Sequence, residues 1–341
     1  LAGGIHVLSD GGRIRERGTV LQLFDRADVK AAGTLELASG ATIEAHERAA
    51  LRGTFTIDGT GRLDLFSALI YADLTTGRDV DVFVRPAVAP DPLVLDATNG
   101  KGILRTKGVV QVNDADPFQL VGPARILNTG SWVLRKALFE GTSCCANPAT
   151  FVNQDGGLAI VKQSDDTAAR FSSVRFRNEG KAQVQGTVEF FDLTPEQADG
   201  QMTLTGHIAN ALPLRVSGGV LSGSGVIEGD LRNAGTVDPG SSSSLGTITV
   251  LGTYRQSGSG ELRIDVKGAE SDQIKGSDSI QLAGTLRLSK MGAGALGPED
   301  RVLLRGTGTL AGKFGTVLGL GTLGSGWRVV YRPTSVSLEL P

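Results

Sequence analysis

The chain is poor in the residues that most often carry chemistry. Its 341 residues include three His, two Cys, two Met, two Trp and three Tyr. Histidine is the side chain best suited to acid–base and metal chemistry near neutral pH, so its scarcity argues against a metalloenzyme. The 34 Lys and Arg nearly balance the 36 Asp and Glu, and a net charge of -2 provides no global field to attract nucleic acid. We therefore expect no nucleic-acid partner, no metal and no cofactor.

Long apolar runs are also missing. No stretch reaches the roughly 18 apolar residues of a membrane-spanning helix, so no membrane span is expected. The chain opens as LAGG without a Met, a charged region or an apolar region, and this favours a processed or excised segment.

The two cysteines, Cys144 and Cys145, are adjacent. Neighbouring cysteines seldom bond to each other because the ring is strained, and two thiols are too few for a four-ligand zinc site. Two interpretations stay open for this pair. It is either a pair of small side chains in a loop, or a thiol pair that forms disulfides elsewhere, including with another chain.

Glycine, by contrast, is abundant, with 48 residues, no three-residue period and only 12 Pro, which excludes collagen. Many glycines directly precede a segment in which every second residue is apolar. That alternation indicates a strand with one buried face and one wet face. The segments are GTLEL (33–37), GTFTI (53–57), GRLDL (61–65), GVVQV (108–112), GTVEF (186–190), GTITV (246–250) and GTLRL (284–288).

Asparagine recurs at a fixed place in this pattern. Asn128, Asn153 and Asn178 each follow an apolar and a variable residue at intervals of 25, and Asn233 lies 55 residues further on. A period of 20 to 30 residues made of strands and turns is typical of a solenoid. Asn tolerates left-handed backbone angles and forms ladders between stacked strands. We interpret the four as structural corner residues.

These patterns predict an all-β solenoid, with at most about 13 coils at the observed spacing. Proline-rich residues 79–98 and residues 141–150 are predicted to be loop excursions. Thr194 before Pro195 predicts one helical turn over 193–198.

Residues 212–341 carry a succession of motifs that is specific as a whole. The motifs are VSGGVLSGSGVI (216–227), NAGTVDPGS (233–241), GTITV (246–250), YRQ (254–256), GELRI (260–264), DQI (272–274) and LAGTL (282–286). The succession resembles the terminal part of large bacterial surface and autotransporter-type passenger proteins.

The resemblance implies a right-handed parallel β-helix. Residues 1–260 would form the solenoid, and residues 261–341 a small C-terminal β-rich cap that continues it. It also implies export to the bacterial cell surface or beyond, where the chain would serve as a stalk, adhesin or scaffold. The predicted partners are further copies of the chain, since open strand stacks pair into filaments or layers, or cell-surface glycans.

The competing hypothesis is a polysaccharide-binding or polysaccharide-degrading β-helix protein. Outward Glu36, Asp64 and Glu189 would supply carboxylates for glycoside chemistry, and Trp132 or Trp327 a sugar platform. Alternating charges more often solvate a strand face, so we assign no catalytic residue.

Calcium and other metals find little support in the sequence. The Asp pairs at 79/81, 114/116 and 165/166 lack the spacing of a calcium loop. His6, His46 and His207 are too far apart to form a metal set by sequence.

Overall fold

The structure, a computed structural model, describes residues 5–7, 15–16, 20–23, 28–46, 49–85, 92–113, 117–142, 147–162, 168–294 and 296–341. Strands account for 62% of the described residues and helix for 1%. Parallel strands stack coil on coil into a β-solenoid of about 11 turns. The predicted all-β solenoid is confirmed.

Up to residue 193, the regular elements of the described residues are all strands. They are β1 (Ile5–Val7), β2 (Arg15–Glu16), β3 (Val20–Leu23), β4 (Asp28–Leu37), β5 (Thr42–Ala45), β6 (Ala50–Gly59), β7 (Arg62–Leu65), β8 (Leu69–Thr76), β9 (Asp81–Val84), β10 (Leu93–Asp96), β11 (Ile103–Thr106), β12 (Val109–Asn113), β13 (Phe118–Val121), β14 (Arg125–Asn128), β15 (Ser131–Arg135), β16 (Leu138–Gly141), β17 (Ala149–Asn153), β18 (Leu158–Val161), β19 (Ala169–Ser172), β20 (Val174–Asn178), β21 (Lys181–Val184) and β22 (Thr187–Phe191).

From residue 194 onward, the described residues add one short helix to the strands. The elements are β23 (Glu196–Gln197), β24 (Gln201–Leu204), β25 (His207–Asn210), β26 (Leu214–Val216), β27 (Val220–Gly223), β28 (Val226–Glu228), β29 (Leu231–Asn233), β30 (Thr236–Pro239), β31 (Thr247–Val250), β32 (Thr253–Gln256), β33 (Glu261–Lys267), β34 (Glu270–Ser271), β35 (Gln273–Ser277), β36 (Ser279–Leu282), β37 (Thr285–Lys290), β38 (Arg301–Gly306), β39 (Leu310–Gly312), β40 (Thr316–Leu318), α1 (Leu320–Leu323), β41 (Arg328–Arg332) and β42 (Ser335–Glu339).

The chain divides into two compact units. The first comprises Leu1–Ala182 and Gly186–Leu193, and the second comprises Gln183–Gln185 and Thr194–Pro341. In the first unit a coil of β14, β15 and β16 lies on the next coil of β17, β18 and β19, strand over strand in parallel. The alternating segments dictate this arrangement, because every second side chain of each strand is buried. In β8, Ile70, Ala72 and Leu74 are fully buried, while the residues between them are partly exposed.

The earliest coils use unusually long strands. β4 and β6 pair over ten residues each. Gly33 and Gly53 within them have φ of 108° and 107°, a region that residues with a Cβ seldom adopt. One coil later, the first residues of β8 pair with β10 and its last four pair with β11. The position of Gly53 in β6 therefore corresponds to the connection between β10 and β11.

Aromatic rings fill the later coils of the first unit. Phe118, Phe139, Phe171 and Phe190 occupy equivalent positions on β13, β16, β19 and β22. The Phe139 and Phe171 rings are stacked with centroids 4.7 Å apart, and those of Phe171 and Phe190 are 5.4 Å apart. Such pairs contribute roughly 0.5–1.5 kcal/mol beyond their burial, so the column stabilises each coil against the next.

The second unit ends in antiparallel strands. β37 and β40 are still parallel, but β42 pairs antiparallel with β38 on one side and with β41 on the other. The hairpin of β41 and β42 covers the edge of β38 that would otherwise be open to another chain. This arrangement agrees with the implied small C-terminal β cap.

The helical turn predicted over 193–198 is wrong. Glu196 and Gln197 form β23, which pairs in parallel with Arg215 and Val216 of β26. The strand ladder overrides the weak local preference for a helix. In the two predicted excursions, residues 86–91 and 143–146 lie outside the described residues, and β9, β10 and the start of β17 occupy parts of the rest.

Candidate functional site

Three of the regularly spaced asparagines form a buried amide ladder in the first unit. Asn128, Asn153 and Asn178 end β14, β17 and β20, and the parallel register aligns them. Asn128 Nδ2 donates to Asn153 Oδ1 at 2.7 Å, and Asn153 Nδ2 donates to Asn178 Oδ1 at 2.6 Å. All three side chains are fully buried. The amides satisfy one another, which removes the penalty of about 1–3 kcal/mol for a buried unpaired polar group.

The same amides fix the backbone where one strand passes to the next. Asn128 Oδ1 accepts the N–H of Gly130 at 2.9 Å, and Asn153 Nδ2 donates to Lys181 O at 2.8 Å. Among the described residues, the non-glycine positions with positive φ are Lys136, Ser173 and Asp192. The tolerance of asparagine for left-handed angles is therefore not what places these residues. Their role here is hydrogen bonding.

In the second unit, Asn233 heads a related arrangement. Its Nδ2 donates to Gln256 Oε1 at 3.3 Å and to Glu261 O at 3.0 Å. The buried Tyr254 hydroxyl donates to the same Gln256 oxygen at 2.8 Å, and burial raises the pKa of Tyr254. Glutamine thus takes the place of asparagine one coil further on, which a search for repeated Asn does not reveal.

Asp64 is a deeply enclosed carboxylate, with 3% of the residue exposed. Arg62 Nε lies 2.5 Å from Asp64 Oδ1, and Arg85 Nε lies 3.5 Å from Oδ2. Both guanidinium groups also lie over the Phe83 ring, 4.1 and 5.3 Å from its centroid. The hydrogen bond to Asp64 raises the pKa of Arg62. Asp64 is therefore the centre of an ion-pair cluster on the outer face of β7 and β9.

Glu36 and Glu189 lie elsewhere in the first unit. The register sets Glu36 of β4 beside Asp58 of β6. Glu189 of β22 lies beside Arg170, whose Nη2 is 2.6 Å from Glu189 Oε2. Strand pairing does not bring Glu36, Asp64 and Glu189 together as a catalytic pair or triad.

Two histidines and both tryptophans can be placed. His46 stacks on Phe66 with centroids 4.0 Å apart, and His207 Nε2 lies 3.2 Å from Glu228 Oε2. Trp132 is fully buried and Trp327 is 9% exposed. Neither tryptophan provides an exposed sugar platform. The side chain of His6 lies outside the described residues.

Cys144, Cys145 and the Asp pairs at 114/116 and 165/166 also lie outside the described residues. Within the described ranges, no three His, Cys, Asp or Glu side chains are grouped so that they could hold a metal ion. In the same part of the chain, no helix has the length and apolar character needed to cross a bilayer.

Three aspartates converge in the second unit at positions the sequence analysis did not single out. Asp272 is 1% exposed, and its two oxygens accept the N–H groups of Gly246 at 2.6 Å and Asp265 at 2.8 Å. Burial raises the pKa of Asp272 to about 7; the two hydrogen bonds oppose this shift, and the charges of Asp265 and Asp238 add to it. Burial also raises the pKa of Asp238 and Asp265. Only the folded register reveals this cluster.

A cleft of about 830 Å³ opens in the same unit, lined by residues of β31, β34, β35 and β38. Lys275 and Arg305 are register neighbours on its wall, both exposed. The buried Arg301 lines it too, donating from Nη1 to Glu299 O at 2.6 Å, from Nη2 to Gly297 O at 2.9 Å and to Gly268 O, and lying over Trp327. Arg301 thus anchors the loops beside the cleft.

A scan against protein-family models finds no match for this chain, and a search of curated proteins finds none either.

Replacement of Asn153 by Ala should destabilise the first unit. The change leaves the Asn128 amide and the Asn178 carbonyl without the partner between them, and we expect the free energy of unfolding to fall by about 2–4 kcal/mol. The matched control is Asn99→Ala in an exposed turn, which should cost about 0.5 kcal/mol or less. Chemical denaturation measures both, and equal losses would show that the ladder does not stabilise the coils.

The Asp272 cluster should make stability depend on pH. The pKa of Asp272 in the folded chain, about 7, lies above its unfolded value of about 3.9, so the folded state holds more protons between these limits. Its contribution to stability is then fully present below about pH 4 and is lost as the pH rises through about 7. Asp238 and Asp265 add to the trend, and Arg263, which faces Asp238, opposes it.

Thermal unfolding of Asp272→Asn across pH 4–8 checks this expectation. The variant should show a flatter pH dependence than the parent chain, whatever its absolute stability. Asp278→Asn, at an exposed position of the same unit, should leave the slope unchanged. If Asp272→Asn keeps the pH dependence of the parent chain, other titratable groups cause that dependence.

Proposed function

We propose that this chain is a scaffold module of an exported bacterial surface protein, with a structural or adhesive role outside the cell. Two observations support the proposal. Residues 212–341 resemble the terminal part of autotransporter-type passengers, and the chain folds as a β-solenoid. The observation that carries it is the in-register stack of buried amides and rings, because it ties each coil directly to the next.

The mechanism is mechanical and multivalent. A coil cannot bury its apolar face alone, so neighbouring coils stabilise one another along the stack. The outward residues then repeat at the spacing of the strands, about 4.8 Å. Such a surface suits repeated weak contacts with a second copy or with a glycan.

The unpaired edge of β40 supports the self-association part of the proposal. β40 pairs with β37 on one side, and among the described residues no strand pairs with its other side. Leu318 at the end of β40 is 37% exposed. An open edge of this kind is a template for another chain.

The purified chain should therefore form oligomers or fibres, seen by sedimentation and electron microscopy. Leu318→Lys places a charge on the open edge and should reduce assembly at least severalfold. Leu212→Lys, at a residue with 40% exposure, is the matched control and should assemble like the parent. A monodisperse monomer at high concentration, without fibres, would overturn self-assembly.

The second candidate function is binding or cleavage of a polysaccharide, which the cleft beside Lys275 and Arg305 favours. The scaffold proposal predicts no reducing ends and no unsaturated products from a panel of neutral and acidic polysaccharides. It also predicts that Glu36→Ala, Asp64→Ala and Glu189→Ala, like the parent chain, release no such products. Product release by the parent chain, lost in one of these variants, would favour the enzyme instead.

A further inference from the structure

A row of three arginines runs across successive coils on the outer face of the second unit. Arg215 of β26, Arg232 of β29 and Arg255 of β32 are direct register partners. All three are exposed. Parallel strands lie about 4.8 Å apart, so the three guanidinium groups belong to adjacent positions of one straight row.

Among the described residues, none of the three arginines forms a salt bridge, although Glu196 is the register partner of Arg215 and Asp230 lines a pocket with Arg232 and Arg255. Salt bridges among the described residues of the second unit include those of His207, Arg263, Arg287, Arg301 and Arg332 with acidic side chains. Like charges directly opposite each other on neighbouring strands destabilise a sheet. Arg263 and Arg287 are also register partners on neighbouring strands, but both form salt bridges with Glu261. The repulsion between adjacent arginines is therefore compensated there, and it is not compensated in this way in the row.

The acidic groups beside the row have other hydrogen-bond partners. Asp230 Oδ1 accepts the N–H of Thr253 at 2.8 Å. Glu196, which precedes Arg215 in the row, accepts the Ser217 hydroxyl at 2.5 Å. Neither carboxylate forms a salt bridge with Arg215, Arg232 or Arg255, so these guanidinium groups remain available for an external anion.

Polar side chains flank the row. A small pocket of about 140 Å³ is lined by Asp230, Arg232, Thr253, Arg255 and Gln281. The Thr253 hydroxyl lies 3.2 Å from that of Ser279 on the next coil. Hydroxyl and amide groups of this kind hydrogen-bond sugar hydroxyls, whereas single-stranded nucleic acid is usually held by aromatic rings that stack on its bases.

We propose that the row of Arg215, Arg232 and Arg255 binds a carboxylated polysaccharide whose chain runs across successive coils, parallel to the row. The guanidinium groups would take successive carboxylates, a charge-assisted contact that Arg makes in a bidentate geometry. Thr253, Ser279 and Gln281 would contact the hydroxyls between them. This inference rests on the proposed role as a surface scaffold and names the class of glycan it would contact, but it is independent of self-assembly, since the arginines lie on other strands than β40.

Binding of polygalacturonate to the full chain tests the proposal, with dextran as the neutral comparison. The parent should bind polygalacturonate and not dextran, and its binding should weaken as salt rises. The triple variant Arg215→Gln, Arg232→Gln, Arg255→Gln should lose at least tenfold in affinity. The control triple Lys267→Gln, Lys313→Gln, Arg328→Gln removes the same charge from exposed positions of the same unit, outside the row and outside the cleft, and should bind within about twofold of the parent.

Three results would overturn the proposal. They are an equal loss in the two triple variants, undiminished binding in the arginine variant, and tighter binding of single-stranded oligothymidylate than of polygalacturonate. Circular dichroism and thermal unfolding confirm that each variant is folded. Should the triple variant fail to fold, Arg232→Gln and Arg255→Gln singly, each with a severalfold loss expected, replace it.

Discussion

Parallel pairing without a register shift places each side chain directly over its equivalent in the next coil. This constraint decides what the interior can contain. An amide serves well, because its N–H₂ donates to the carbonyl of an identical amide one coil away, as in Asn128, Asn153 and Asn178. A phenyl ring serves equally well, because it stacks on its own kind, as Phe139 does on Phe171. A charged group does not, since its equivalent would repel it.

Outside, the same constraint forces charges into neighbouring positions, and the chain resolves the conflict locally. Glu189 forms a salt bridge with Arg170 of the adjacent coil, and Glu261 forms salt bridges with both Arg263 and Arg287. Each resolution needs a carboxylate within reach of the cation. The row through Arg232 departs from this rule, and unbalanced charge retained on an exposed face is a common property of surfaces that bind charged ligands.

The fold follows from the sequence because its two signals are local. Alternation marks the strands, and Asn128, Asn153 and Asn178 mark three equivalent points of successive coils. The common interval of 25 is not a property of the whole stack, however. Thr106 and Asn128 are hydrogen-bonded partners 22 residues apart, and Asn233 and Gln256 are 23 apart. Connections vary in length while the strand positions are preserved, so a repeat search finds only the coils whose connections happen to agree.

The Asp272 cluster lay beyond sequence reasoning for a different reason. Asp238, Asp265 and Asp272 come from β30, from β33 and from the connection before β35. Their proximity depends on how those coils stack and on which face each residue takes. The wrong helical turn at 193–198 has the same origin, because a parallel partner on β26 decides its conformation and no local signal reports that partner.

Alternation also separates stability from recognition along a single strand. In β32, Tyr254 and Gln256 face inward and complete a buried hydrogen-bond network, while Thr253 and Arg255, which alternate with them, face outward. A substitution at an outward position changes the surface row without altering the interior column, since the two sets of side chains lie on opposite faces of the sheet. Surface specificity can therefore diversify on this fold while the inward residues hold the coils in register.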